Sequence, residues 1–184
     1  MTDFREWAPM DFLMSRVPPL TRYARDQSVT AIATTEDIIA LGTDTGTMFW
    51  YSRREDSLQR IECPGPAVSI VSLALVETVD YMLAAGSLSG DLILYQIPKP
   101  VKLEARVPFP GTAQNIQQFL VTNIHRQRVT CLKWSKNGEK LFSGDEEGKI
   151  VESSVAFTLN EVSSREISDE KCEILSLDYL LADY

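Results

Sequence analysis

Three times along the chain, an alternating run of apolar and polar residues is followed by an apolar run ending in glycine, a short turn closed by a second glycine, and a third apolar run. The first copy is Val29-Thr30-Ala31-Ile32, leading to Leu41-Gly42-Thr43-Asp44-Thr45-Gly46-Thr47-Met48-Phe49-Trp50-Tyr51. The second is Val68-Ser69-Ile70-Val71, leading to Ala85-Gly86-Ser87-Leu88-Ser89-Gly90-Asp91-Leu92-Ile93-Leu94-Tyr95. The third has His125, then Val129-Thr130-Cys131-Leu132-Lys133-Trp134-Ser135-Lys136-Asn137-Gly138, then Leu141 to Val151 through Gly144 and Gly148. A period of two over four to eight residues predicts strands, so each copy reads as a three-stranded meander. Asn137-Gly138 predicts a type I′ hairpin turn with positive φ at both residues. Gly46, Gly90 and Gly148 fall where the chain reverses, and Gly42, Gly86 and Gly144 fall at strand ends where a Cβ would crowd a neighbouring backbone. On that reading Gly148→Val is expected to destabilise by about 1–3 kcal/mol.

Leu58 to Glu62 and Gln118 to Thr122 alternate and are polar enough for edge strands, which makes the units four-stranded. Gly42 and Gly86 are 44 residues apart and Gly86 and Gly144 are 58 apart. The first spacing matches the roughly 40–45 residues of a WD40 blade. The second is longer because Pro98, Pro100, Pro108, Pro110 and Gly111 punctuate a charged stretch that predicts an expanded surface loop. The expected architecture is all-β, a partial WD40-like propeller of about three four-stranded blades plus the start of a fourth. Its divisions are an N-terminal apolar segment at 1–27, blade 1 at 28–66, blade 2 at 67–123 with its expanded loop at 98–116, blade 3 at 124–170, and the start of blade 4 at 171–184, where alternation returns from Cys172 to Tyr179. Three and a part blades leave terminal faces open, so missing blades or self-association are expected to cover them.

Before the first copy, Phe4, Trp7, Met10, Phe12, Leu13 and Met14 form an apolar cluster ended by Pro18-Pro19. It reads as a short packing helix plugging the propeller, or as an amphipathic partner-binding segment. With 44% hydrophobic and 24% charged residues, the 184-residue chain has the composition of a folded globular protein. No apolar run approaches the roughly 18 residues of a membrane span, and Met1 to Glu6 lacks a signal core, so a cytoplasmic location is expected. Net charge −8 disfavours nucleic acid and favours protein partners. Cys63, Cys131 and Cys172 are odd in number and have no CxxC spacing, so they read as buried reduced thiols rather than disulfides or a zinc site.

Candidate chemistry is sparse, and catalytic, cofactor-binding and metal-binding residues are all expected to be absent. Gly144 to Ile150 has the glycines and lysine of a phosphate loop but one residue too few between the glycines, Ile150 in place of the hydroxyl, and Glu146 and Glu147 to repel phosphate. His125 is the chain's one histidine, and its position four residues before the Val129 strand points to a structural bond with a turn carboxylate rather than to a general base. Glycoside hydrolysis by paired carboxylates is the remaining enzymatic alternative, but most acids fall in turns or toward the C-terminus rather than at inner-strand ends. The residues that carry structure are expected to be Gly42, Gly46, Gly86, Gly90, His125, Trp134, Asn137, Gly138, Gly144 and Gly148.

Phe4-Arg5-Glu6 with Pro9, Ile124-His125, Trp134-Ser135, Asn137-Gly138, the run from Leu141 through Gly148-Lys149-Ile150-Val151 to Ser153-Ser154, and Leu177-Asp178-Tyr179 resemble the N-terminal propeller of the tectonin-repeat WD40 proteins. The Hermansky-Pudlak type of WD40 trafficking protein is a more distant resemblance. What the resemblance implies is a non-catalytic cytosolic scaffold in autophagy or vesicle trafficking, at the periphery of vesicle or autophagosome membranes, with Atg8-family proteins and tethering complexes as partners. An adaptor of a coat or signalling complex is the alternative. The aromatic-x-x-Leu/Ile/Val motif by which such proteins bind Atg8 relatives matches no aromatic of this chain, so that binding does not transfer. The Trp-Asp pair of a standard blade is also missing, its places held by Trp50-Tyr51, Tyr95-Gln96 and Glu152-Ser153.

Overall fold

A computed structural model describes residues 27–61, 63–99 and 116–179. The apolar cluster from Phe4 to Met14 and most of the expanded loop lie outside these residues. Twelve described strands form three antiparallel sheets, each in simple meander order. The first holds β1 (Val29–Thr34), β2 (Ile38–Thr43), β3 (Met48–Ser52) and β4 (Ser57–Ile61). The second holds β5 (Ile70–Glu77), β6 (Tyr81–Ser87), β7 (Leu92–Ile97) and β8 (Gln117–Val121). The third holds β9 (Val129–Trp134), β10 (Lys140–Asp145), β11 (Lys149–Ala156) and β12 (Glu161–Asp169).

The middle strands of the first two sheets are buried on both faces, which explains their unbroken apolar runs. Ile38, Ala40, Met48 and Trp50 of the first sheet pack on Leu83, Ala85, Ile93 and Tyr95 of the second. The opposite face of the second sheet, with Met82, Ala84, Leu92 and Leu94, packs on Val129, Trp134, Leu141 and Val151 of the third. β5 lies beside β1 and β9, so the first strands of the sheets are innermost and the blades fan outward from them.

One inner-strand hydroxyl stitches each blade to the next segment of the chain. Thr30 Oγ1 donates to the Ile70 carbonyl, Ser72 Oγ to the Val129 carbonyl at 2.8 Å, and Thr130 Oγ1 to the Ile174 carbonyl. Ladder register shifts occur at Val29/Ala31, Ile70/Ser72 and Gly144/Asp145. The bulges leave Thr30 and Thr130 out of the ladder, whereas Ser72 is in register opposite Gly86, one place after the bulge residue Val71. Ser72→Ala is expected to cost about 1–2 kcal/mol in urea unfolding, because the buried Val129 carbonyl loses its donor; an unchanged midpoint would show that the stitch contributes nothing.

Three local expectations are corrected. Gly138 takes positive φ (72°) but Asn137 does not. Gly138 N–H donates to Ser135 O at 2.9 Å, so the turn is type I followed by a left-handed glycine, not type I′. Asn137 serves through its side chain, accepting from Ser135 Oγ at 2.7 Å and donating to Glu139 at 2.7 Å. A Cβ at Gly42, Gly86 or Gly144 would meet side chains of the following segment, Ile70, Val129 and Ile174, rather than backbone. Cys63 and Cys131 are half-buried, but Cys172 is exposed. Residues 172–179 are not a regular strand, yet Ile174 sits against Gly144 and accepts from Thr130 as Ile70 sits against Gly42 and accepts from Thr30, and Tyr179 stacks on Phe142 at 5.4 Å.

Candidate functional site

Each hairpin between the second and third strands is closed by a polar side chain directly after the first glycine. Thr43 Oγ1 accepts from Thr47 N–H at 3.0 Å, and Ser87 Oγ from Asp91 N–H at 2.9 Å. In the third blade Asp145 Oδ1 accepts from the N–H groups of Glu147, Gly148 and Lys149 at 2.9–3.0 Å. Gly46, Gly90 and Gly148 follow at φ of 77°, 91° and 104°. At each, a Cβ would strike the backbone of the segment entering the next blade: Val68, His125 and Gln127, and Lys171 and Cys172. The two glycines of each pair therefore fix the spacing between neighbouring blades.

Asp145 has a second oxygen, and that oxygen is the start of a relay. Oδ2 lies 2.8 Å from His125 Nδ1, and His125 Nε2 lies 2.7 Å from Ser143 Oγ. Ser143 and Asp145 are two residues apart on β10, so they share a face, and His125 reaches both from the loop before β9. Burial pushes the His125 ring below its usual value, against the opposite pull of Asp145. A neutral ring donating from Nδ1 to Asp145 and accepting at Nε2 from Ser143 Oγ–H satisfies all three groups. This is the order of a nucleophile, base and orienting acid. All three residues are no more than 3% exposed, so the serine has no path to a substrate. The relay instead ties the hairpin, the second strand and the blade-entry loop together.

The remaining residues expected to matter sit apart from this relay. Trp134 closes the core between the second and third blades, its indole N–H without a hydrogen-bond partner among the described residues. Asn137 and Gly138 stand on the opposite end of the blades, where Gly138 abuts Met82 and Thr78. There they border an open groove of about 930 Å³ between the second and third blades, with Met82, Val155, Phe157 and Val162 below and Glu139 and Glu161 at its edge. The hairpin tips beside it present Val79 and Leu159, 89% and 68% exposed. Sequence reasoning missed this groove, because neither tip belongs to a periodic run. Among the described residues, no three His, Cys, Asp or Glu side chains are grouped to hold a metal ion.

No family model matches the chain. Over 181 residues, 96% of its length, it is 32% identical to WD repeat-containing protein CG11141 of Drosophila melanogaster. Over 179 residues, again 96%, it is 33% identical to tectonin beta-propeller repeat-containing protein 2 of Homo sapiens. The chain spans 25% and 12% of the lengths of these relatives. Among solved structures, the Cps50 (Swd1) β-propeller domain from Myceliophteria thermophila superposes with a TM-score of 0.58 at 16% identity, covering 82% of this chain and 46% of that one. The chain is a partial WD40-type β-propeller. Within the propeller, the positions nine residues after Gly42, Gly86 and Gly144 are Tyr51, Tyr95 and Ser153, so Trp50 stands one place off, on the face turned to the second blade. The third blade thus joins Asp145, His125 and Ser143 in one hydrogen-bonded set, with Ser153 rather than an aromatic at this position. No helix among the described residues is long and apolar enough to cross a membrane.

Proposed function

We propose that this propeller is a non-catalytic protein-interaction scaffold acting in the cytoplasm in autophagy or vesicle trafficking, at the periphery of the membranes concerned. The observation that carries the reading is the division of its polar and apolar groups. Among the described residues, the one arrangement with the order of a catalytic relay is sealed in the core, while large apolar side chains stand exposed on hairpin tips around an open groove. Buried relays hold blades in place; exposed apolar tips on a rigid frame are what a partner protein docks against. The trafficking assignment rests on the likeness, along 96% of the chain, to the tectonin-repeat relative.

The test is quantitative affinity isolation from cells with the wild-type chain and with Val79→Asp combined with Leu159→Asp, both residues lying away from the cores. Tethering or autophagy proteins are expected with the wild type and should fall about 30-fold with the variant, the size of a lost interface hot spot. Selective recovery of coat or signalling complexes would transfer the reading to an adaptor of those assemblies. Turnover of a glycoside or ester by the purified chain would overturn the non-catalytic assignment.

A further inference from the structure

The groove between the second and third blades is sorted by charge as well as by polarity. Its floor is apolar, with Met82, Val155, Phe157 and Val162. Lys140 is the one cation among its lining residues, and Glu152 already holds it at 3.3 Å while also holding Arg165 at 3.2 Å. Lys99, which donates to the Thr78 carbonyl on the facing hairpin, is paired with Glu77 at 2.9 Å. Lys136 lines a different cavity, against the inner strands. The acids at the rim are not occupied in this way. Glu139 and Glu161 line the groove and are exposed, and Asp80 follows Val79 at the tip of the β5–β6 hairpin. The polar contacts of Glu139 and Asp80 come from neutral side chains, Asn137 at 2.7 Å and Gln96 at 2.6 Å. None of the three acids has an ion pair among the described residues. The set of Lys140, Glu152 and Arg165 leaves one positive charge against these three negative ones, so the rim is anionic around an apolar floor.

A cation entering here meets carboxylates that no cation of the groove neutralises, whereas an acid meets repulsion, so charge selects the occupant. The exposed tips argue for a peptide rather than a small molecule. A ligand filling only the groove leaves Val79 and Leu159, which stand outside its lining at 89% and 68% exposed, in water. A chain crossing from one tip to the other covers both of them and the floor between. We propose that the groove takes a segment of a partner protein that carries Lys or Arg beside apolar side chains, the apolar ones set on Met82 and Phe157 and the cations on Glu139, Glu161 and Asp80. This assignment rests on the reading of the chain as an interaction scaffold and adds the chemistry of the partner to it.

The experiment pans a random peptide library on the immobilised full chain and measures the recovered peptides by fluorescence anisotropy against variants. Peptides with Lys or Arg interspersed among large apolar residues are expected. Their affinity should fall about 10-fold on Glu139→Lys with Glu161→Lys, and less than about 2-fold on Glu147→Lys with Glu170→Lys. The second pair makes the same change of net charge at the β10–β11 hairpin, on the opposite end of the blades. Glu139→Gln with Glu161→Gln should give a smaller loss in the same direction, and it decides the matter if the lysine variant does not fold. Peptides that lose affinity on Val79→Asp with Leu159→Asp but on neither change at Glu139 and Glu161 would overturn the proposal and leave the scaffold reading standing. Equal losses on the two lysine pairs would also overturn it, in favour of attraction to the net charge of −8. Peptides indifferent to every variant, or no peptide recovered, would overturn it together with the docking role of the tips.

Discussion

Replacing His125 by alanine is expected to lower the free energy of unfolding by about 3–5 kcal/mol, among the largest effects available in this chain. The ring is the common partner of two buried groups, so its loss strands Asp145 Oδ2 and Ser143 Oγ in a site that water does not reach. Asp145 also holds the three N–H groups of the hairpin, so strain introduced at the carboxylate spreads to the turn and to the Lys171–Cys172 segment packed on it. A pH dependence distinguishes this account from simple cavity formation. The folded ring resists protonation, whereas the unfolded ring titrates near its ordinary value of about 6.5. Below that pH the unfolded state binds more protons, so the contribution of His125 is fully present above it and is lost progressively as pH falls. Urea unfolding at about pH 7.5 and about pH 5.5 should therefore show wild type losing stability on acidification, with this component missing from His125→Ala. A variant within about 0.5 kcal/mol of wild type at the higher pH would show that the relay holds nothing together.

The parts of this fold that were legible in the sequence are those encoded locally. Paired glycines with apolar runs between them mark the hairpins, because a left-handed turn and a doubly buried strand each leave a signature within a few residues. β4 and β8 are visible as short mixed runs of apolar and polar residues, Ser57–Ile61 and Gln117–Val121, placed after the third strand of their units. β12 is not. Its apolar residues, Val162 and Ile167, are an odd number of places apart, and the ladder skips Ile167 between the pairs Ile150–Ser168 and Val151–Glu166. The bulge breaks the period of two, and a strand exposed along most of its length has no other pattern to offer. The relay was half legible. The place of His125 before a strand anticipates a turn carboxylate, but Ser143 enters only through the i, i+2 relation to Asp145, which carries meaning once β10 is known to be a strand. The inter-blade contacts of Gly42, Gly86 and Gly144 were misread as backbone contacts because they depend on which residue of the next blade arrives, and that is fixed by the bulges rather than by the glycines.

The second large effect separates the two reasons a glycine is needed where φ is positive, at two hairpin turns and in the β4–β5 connection. Gly65, Gly90 and Gly148 have φ values of 91°, 91° and 104°, so a β-branched replacement pays a similar backbone strain at each. Their surroundings differ. A Cβ at Gly65 meets the flexible end of Leu120 at 3.0 Å, one at Gly90 comes within 2.5 Å of the His125 carbonyl, and one at Gly148 lies 2.6–2.7 Å from the backbone of Lys171 and Cys172. Gly65→Val is therefore expected to cost about 1–3 kcal/mol, from strain alone. Gly90→Val and Gly148→Val should each exceed that by at least ~2 kcal/mol, because main chain cannot step aside as a leucine tip can. For Gly148 this raises the figure expected from turn geometry alone. It also makes Gly148→Val a probe of the following segment: amide exchange at Lys171 to Ile174 should quicken beyond the global change, since Ile174 N–H is held by Asp145 O at 3.1 Å and Glu170 N–H by Gly148 O at 2.9 Å. Equal destabilisation at all three glycines would mean that backbone strain accounts for everything and that the close approach of successive blades is not what these residues protect.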